Sequence, residues 1–323
     1  MTDGAPGRAP VSVVVPSRDR PEMLARCLAS VRGALRPDDE LVVVDSASRD
    51  AAAVARVAAE AGARLVRVDL PGVDRARNAG WTVTTHDLVL FTDDDVQVDP
   101  GWADAYARCF AEHPECSFAT GRIGVPPDQV SEHEVAVKDD PEPAVLDRTS
   151  VGSLGHGAST ALRRSALVAV GGWDEALGNG GRFRAAPELD LFDRLFASGR
   201  TGRYEPAARA WHDQWRTDGQ LVVLNLRYGV GAGARLAKLV RTDRPRCRRV
   251  AREVLWDWGL ASLLLHLRHH DLKRTVTCTV RMLGYLVGFL QAVVVPLQDG
   301  HFRPLPSPGQ AGAGSDRQAS SAA

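Results

Sequence analysis

Three consecutive carboxylates, Asp93-Asp94-Asp95, close the apolar run Leu88-Val89-Leu90-Phe91 and are the first residues whose type and spacing suggest chemistry. Like charges held close raise one another's pKa unless a cation compensates, so a divalent ion is their natural partner. Along extended chain Asp93 and Asp95 point one way and Asp94 the other, which divides the carboxylates between a ribose and a metal. Mg²⁺ or Mn²⁺ accepts such oxygens and leaves positions for those of a diphosphate. Standing alone, the triplet reads equally well as a solvated acidic turn. Just upstream, Arg75-Ala76-Arg77-Asn78 supplies a planar donor fork suited to phosphate or base oxygens; the plain alternative for Arg77 is a surface helix charge.

These residues need a frame. Val11–Val15 is a β-branched run stopped by Pro16, and Pro21–Arg32 repeats apolar residues at helical spacing through Met23, Leu24, Cys27, Leu28 and Val31. Leu41–Val44 and Arg64–Val68 are further strands, with an Ala-rich helix over Ala51–Ala61 between them. A helix beginning near Val73 and ending at Asn78–Thr85 leads to a fourth strand, Leu88–Phe91. The β-α-β-α-β rhythm predicts a mainly parallel, doubly wound α/β sheet. Ligands in such sheets bind outside the carboxyl ends of the strands, so Pro16–Arg20, Asp45–Ser48 and Asp93–Asp95 should converge on one crevice. Downstream, Gly152–Thr160 is Gly-rich, Leu162–Val170 reads as a helix, Gly171–Asp174 as a turn and Pro187–Ser198 as an amphipathic helix.

Bulk properties narrow the function. The 323 residues carry 40 basic and 40 acidic side chains, and zero net charge argues against a nucleic-acid partner. Five scattered cysteines have no zinc-site spacing, and the polar, Pro/Gly-rich N-terminus has no secretory apolar run, so the expected location is cytoplasmic. Residues 1–10 are expected to be a flexible leader and 303–323 a disordered tail.

In this order and spacing, VSVVVPSRDRPEMLARCLASV, VVVDSAS, GVDRARNAGW, LVLFTDDDV, GHGASTALRRSALVAVGGWDEALG and PELDLFDRL resemble family 2 glycosyltransferases over residues 11–215. The resemblance implies the GT-A nucleotide-diphospho-sugar transferase fold, a nucleotide-sugar donor and a Mn²⁺ or Mg²⁺ cofactor. It places Pro16, Ser17, Arg18 and Asp45 at the base and ribose, and Arg77 near base or phosphates. Asp93 falls near ribose or metal and Asp95 on the metal, with Asp94 beside them on the donor. His212 falls near metal or diphosphate, where a structural histidine is the alternative. One departure is Asp45-Ser46, where the family often has two aspartates.

Inverting transfer needs a carboxylate that takes the acceptor proton. Set against the family's Glu-Asp-x-Asp-Leu, PELDLFDRL puts Glu188 at the base position with Pro187 replacing the preceding acid; Asp190 is a second candidate, and both acids alternatively cap their helix. Trp173 and Asp174 match the loop at the acceptor mouth, the alternative being a turn with a core Trp.

Residues 216–302 match no motif and read as helices. A basic run from Arg241 to Arg252 precedes a Trp- and Leu-rich stretch, and Met282–Leu297 is nearly all apolar but, at 16 residues, short for a membrane span. These helices either rest on an anionic membrane, at the inner face, or pack on the catalytic part or a second copy as a homodimer. Gly229–Gly233 resembles a nucleotide loop but follows no strand. The acceptor stays unidentified, and a sugar nucleotidyltransferase or an inactive nucleotide-binding scaffold are the rival readings.

Overall fold

The computed structural model describes residues 8–129 and 135–303. Most of the expected leader and tail therefore lies outside the described residues, but the chain is already fixed at Arg8, which pairs with Asp39 at 2.6 Å and with Asp104.

The first half alternates as the sequence predicts: β1 (Val11–Ser17), α1 (Pro21–Ala34), β2 (Glu40–Ser46), α2 (Ala51–Glu60), β3 (Arg64–Val68), α3 (Val73–Val83) and β4 (Leu88–Thr92). β1 and β4 are buried along their whole length, because helices cover both sheet faces. Pro21 starts α1 where its missing N–H costs nothing. α3 lies so close to the sheet that a Cβ at Gly80 would stand 2.3 Å from Val14.

Then come β5 (Val96–Val98), α4 (Trp102–Glu112), β6 (Cys116–Gly124), β7 (Ala144–Leu146), β8 (Ser159–Arg163), α5 (Arg164–Val170), α6 (Pro187–Ala197) and β9 (Thr201–His212). The sheet order is β3-β2-β1-β4-β8-β6-β9-β5, with β7 on β9. Pairing is parallel from β3 to β4 and between β6 and β9, whereas β8 runs antiparallel to both its neighbours. The helix expected from Leu162 therefore begins only at Arg164; a short buried apolar run does not distinguish strand from helix by period. One core layer joins Val13, Val15 and Leu90 to α1, α2 and α4, and the other joins Val14, Phe91 and Phe118 to α3, α5 and α6.

The remaining chain forms α7 (Asp218–Thr242), α8 (Arg244–Arg252), a π-helical segment Glu253–Ala261, α9 (Ser262–Arg268), α10 (Leu272–Val293) and the small hairpin β10 (Leu297–Gln298) with β11 (His301–Phe302). Gly229–Gly233 lies inside α7, so it is no phosphate loop. Glycines on both helices let α7 and α10 approach closely: a Cβ at Gly229 of α7 would meet the Arg281 carbonyl at 2.1 Å, and one at Gly288 of α10 the Val230 carbonyl at 2.0 Å. Arg246, part of the basic run from Arg241 to Arg252, is fully buried.

Candidate active site

The carboxyl ends of β1 and β4 open into a cavity of about 570 Å³ whose far walls come from the loop before α6, the end of β9 and α7. Asp93–Asp95 does not continue β4 as extended chain. It turns between β4 and β5, so the expected alternation of carboxylates does not hold. Instead Arg20 Nη1 bridges Asp94 Oδ1 (3.2 Å) and Asp95 Oδ2 (3.3 Å), and Ser17 Oγ donates to Asp94 Oδ2 at 2.8 Å. Burial and the neighbouring Asp95 charge push the Asp94 carboxyl up to about 7.

Asp93 belongs to a different neighbour. Arg77 Nη2 donates to its Oδ1 at 2.7 Å while Arg77 Nη1 reaches Asp74 Oδ1 at 3.1 Å. The guanidinium, 3% exposed, lies 4.6 Å over the Trp173 ring, which meets Phe91 edge-on. Arg77 is thus no surface charge. It is a fixed buried cation at the cavity wall, with Asp74 behind it pushed up to about 8 chiefly by burial.

Asp95 faces β9. His212 Nε2 stands 3.7 Å from its Oδ1, Trp215 Nε1 donates to its Oδ2 at 2.9 Å, and Arg216 lies 4.0 Å away. Trp215 is held between the guanidinium groups of Arg20 and Arg216, each 4.4 Å from its ring. Among the described residues no third His, Cys, Asp or Glu completes a metal cluster. Asp93, expected there, is occupied by Arg77. One carboxylate and one imidazole still suit Mn²⁺ or Mg²⁺ when diphosphate oxygens and water fill the remaining positions, which is how such ions are commonly bound.

Glu188, also on the cavity wall, occupies the first turn of α6, where Ala186 caps the helix in the left-handed region and Pro187 follows. Burial raises the Glu188 carboxyl above its ordinary value, against the pull of its own helix N–H and of Arg77. Asp190 does not reach the cavity. It is buried against Lys238 Nζ at 2.6 Å and Arg194 Nε at 2.9 Å, which hold it below the usual carboxylate range.

Four other expected positions divide. Pro16, Ser17 and Arg18 line the cavity, whereas Asp45 is buried beneath it, accepting from Ser48 N at 2.9 Å and paired with Arg67; Ser46 takes its place on the wall. Trp173 and Asp174 do not form an acceptor mouth. Left-handed Gly171 and Gly172 fold the ring into the core, 1% exposed, and Asp174 is tied to Lys238 and to the Phe302 N–H. The loop that does reach the cavity is the next one, with Arg184 in the left-handed region at φ 64°.

Arg20 lines the cavity with the Pro16–Arg20 cluster to which it was assigned, whereas Trp215, Arg216, Arg184 and Arg227, also on the cavity wall, were not expected from sequence. Trp215-Arg216 directly after β9 carried the same signal used for Asp93–Asp95, a polar cluster at a strand end. Arg184 and Arg227 make no ion pair with a described carboxylate, and Arg227 Nε is buried without a hydrogen-bond partner.

Known proteins share the family and the fold. Residues 12–169 match the family model described as glycosyl transferase family 2. The pre-mycofactocin glycosyltransferase of Mycobacterium tuberculosis is 30% identical over 266 residues, 80% of this chain and 54% of the relative. The chain thus spans about half the length of the curated relatives it matches. A mannosyltransferase of Pyrobaculum calidifontis, solved with GDP-Man and Mn²⁺, shares the fold at TM-score 0.62 and 20% identity over 89% of this chain and 90% of its own. TarS residues 1–349 of S. aureus aligns at TM-score 0.53 and 14% identity, over 88% and 81%.

Proposed function

The chain carries a glycosyl transferase family 2 domain with the GT-A fold, and from that premise we propose that it moves a sugar from a nucleotide-diphosphate sugar to an acceptor hydroxyl with inversion. The observation that carries this reading is that Glu188 and Asp93–Asp95, distant in sequence, line one cavity.

The nucleotide lies against Pro16, Ser17, Arg18 and Ser46, with Asp93 and Arg77 below it. Arg20 and Arg216, flanking Asp95, face the diphosphate and offset its charge. A divalent ion held by Asp95 and His212 would supply electrostatic stabilisation of the departing nucleoside diphosphate. Glu188 accepts the proton of the acceptor hydroxyl as that oxygen bonds the anomeric carbon and the bond to diphosphate breaks. Its raised pKa suits that task, since a base close to the working pH takes the proton most effectively. Arg184 and Arg227 face the acceptor side.

Two solved structures of this fold hold GDP-Man and UDP-GlcNAc respectively, which supports the donor class and leaves the sugar open. The test is donor binding by thermal shift over a panel of nucleotide sugars, with and without Mn²⁺, followed by product anomer analysis by NMR for the donor that binds. Stabilisation by one donor only with Mn²⁺, and a product of inverted configuration, is expected. Absence of any shift would favour a scaffold.

A further inference from the structure

All large apolar side chains exposed on the described surface, apart from Leu65, Leu70, Val145, Val151 and Val168, lie beyond residue 217. They are ordered, not scattered. On α10, Leu272, Val276, Leu283, Leu286, Val287 and Leu290 recur at helical spacing and form one exposed stripe that ends at Val294, the residue capping the helix, with Leu286 59%, Leu290 58% and Val294 77% exposed. The opposite side of α10, Gly284, Tyr285 and Gly288, is the side seated on α7. On the π-helical segment and α9, Leu255, Trp256, Leu260, Leu264, Leu265 and Leu267 are likewise exposed, Trp256 at 54%.

Exposed apolar side chains gathered on neighbouring helices in this way mark an interaction surface. Charge indicates its occupant. Arg248, Arg249 and Arg252 on α8 and Arg268, Lys273 and Arg274 around the α9–α10 turn are exposed, whereas Asp257 is the one exposed acid among described residues 244–274. The whole chain carries zero net charge, so this is a local excess. Leucines and a tryptophan bordered by arginine and lysine fit a surface of anionic lipid.

We propose that α9, α10 and the π-helical segment form a docking face for anionic lipid membranes, on which the protein rests without crossing. Helix α10, 22 residues long with an 18-residue stretch of mean hydropathy 1.4, is long and apolar enough to span. Its glycine side is nevertheless committed to α7, and only its leucine side is available to lipid.

The inference stands independently of the catalytic assignment. Its test is flotation of the full chain with phosphatidylglycerol-containing vesicles and with pure phosphatidylcholine vesicles. Co-flotation with the anionic vesicles, weakened by salt and released by alkaline carbonate, is expected. Leu286→Glu with Leu290→Glu should abolish it, while each of Arg248→Gln and Arg252→Gln should lower vesicle affinity about fivefold. Melting curves should be unchanged in the leucine variant, because both side chains are exposed. Three results overturn the proposal: absence of flotation with either vesicle, resistance to carbonate as of a spanning helix, or a dimer in light scattering that the leucine changes dissociate with no vesicle binding.

Discussion

The ammonium group of Lys238, on α7, stands 2.6 Å from the Asp190 carboxylate on α6, with Asp174 on its other side at 2.5 Å. One turn further on, Asp193 accepts two bonds from Arg235 and one from Arg246. The acids of the helix that carries Glu188 are therefore neutralised in large part by cations from the C-terminal helices α7 and α8.

Replacing Lys238 by Met leaves two buried carboxylates without their shared cation. Breaking a buried pair from one side costs about 3–5 kcal/mol. Lys238→Met should lower the melting temperature markedly, and Lys238→Met with Asp190→Asn should recover part of the loss. Identical melting of the single variant and the parent would contradict the assignment.

Glu188→Gln keeps the shape and removes the proton acceptor. Transfer should fall by about 10²–10⁴-fold with donor affinity preserved. In the parent enzyme the rate should rise with pH, because the base works only when ionised. Burial lifts its pKa, so the ascending limb should lie above the ordinary glutamate value of about 4.3.

Asp95→Ala removes the carboxylate shared by His212, Trp215 and Arg20. Mn²⁺-dependent stabilisation by the bound donor should vanish, and titration calorimetry of nucleoside diphosphate with and without Mn²⁺ would then give the same affinity. A retained metal effect would move the ion away from this turn.

Asp74 carries a pH-dependent load. Its folded pKa of about 8 exceeds the unfolded value near 4, so the folded state binds the extra proton and stability from this group falls as pH rises between the two. Asp74→Asn should flatten the decline of melting temperature across that window. An unaltered slope in the variant would show that Asp74 is ionised in the fold.

Much of the parallel half was legible in sequence. β1, β2 and β4 are nearly continuous apolar runs punctuated by Pro16, Asp45 and Asp93, because both sheet faces are covered. β6 was missed, since its Gly121 and Gly124 break the strand signal, and β8 was merged with the helix that follows it without a loop. At the site, the cavity position of Pro16–Arg18, Arg77, Asp93–Asp95, Glu188 and His212 followed from strand-end clusters and motif spacing. The inward turn of Trp173 did not, because two left-handed glycines decide it. Nor did the partners of Asp190 and Asp193: Lys238 and Arg235 look like ordinary helix-surface cations until chain distant by 42 residues or more folds onto them.

The same ion pairs set an order of events during synthesis. Asp193 is made 53 residues before Arg246. At about 5–20 residues per second, the acidic helix waits seconds beside the ribosome for its counter-charges. The nascent N-terminal half can form its sheet in that interval, but the helix that carries Glu188 acquires a settled charge balance only after Arg246 has emerged. Chains truncated before that point should be captured by chaperones rather than accumulate as active fragments.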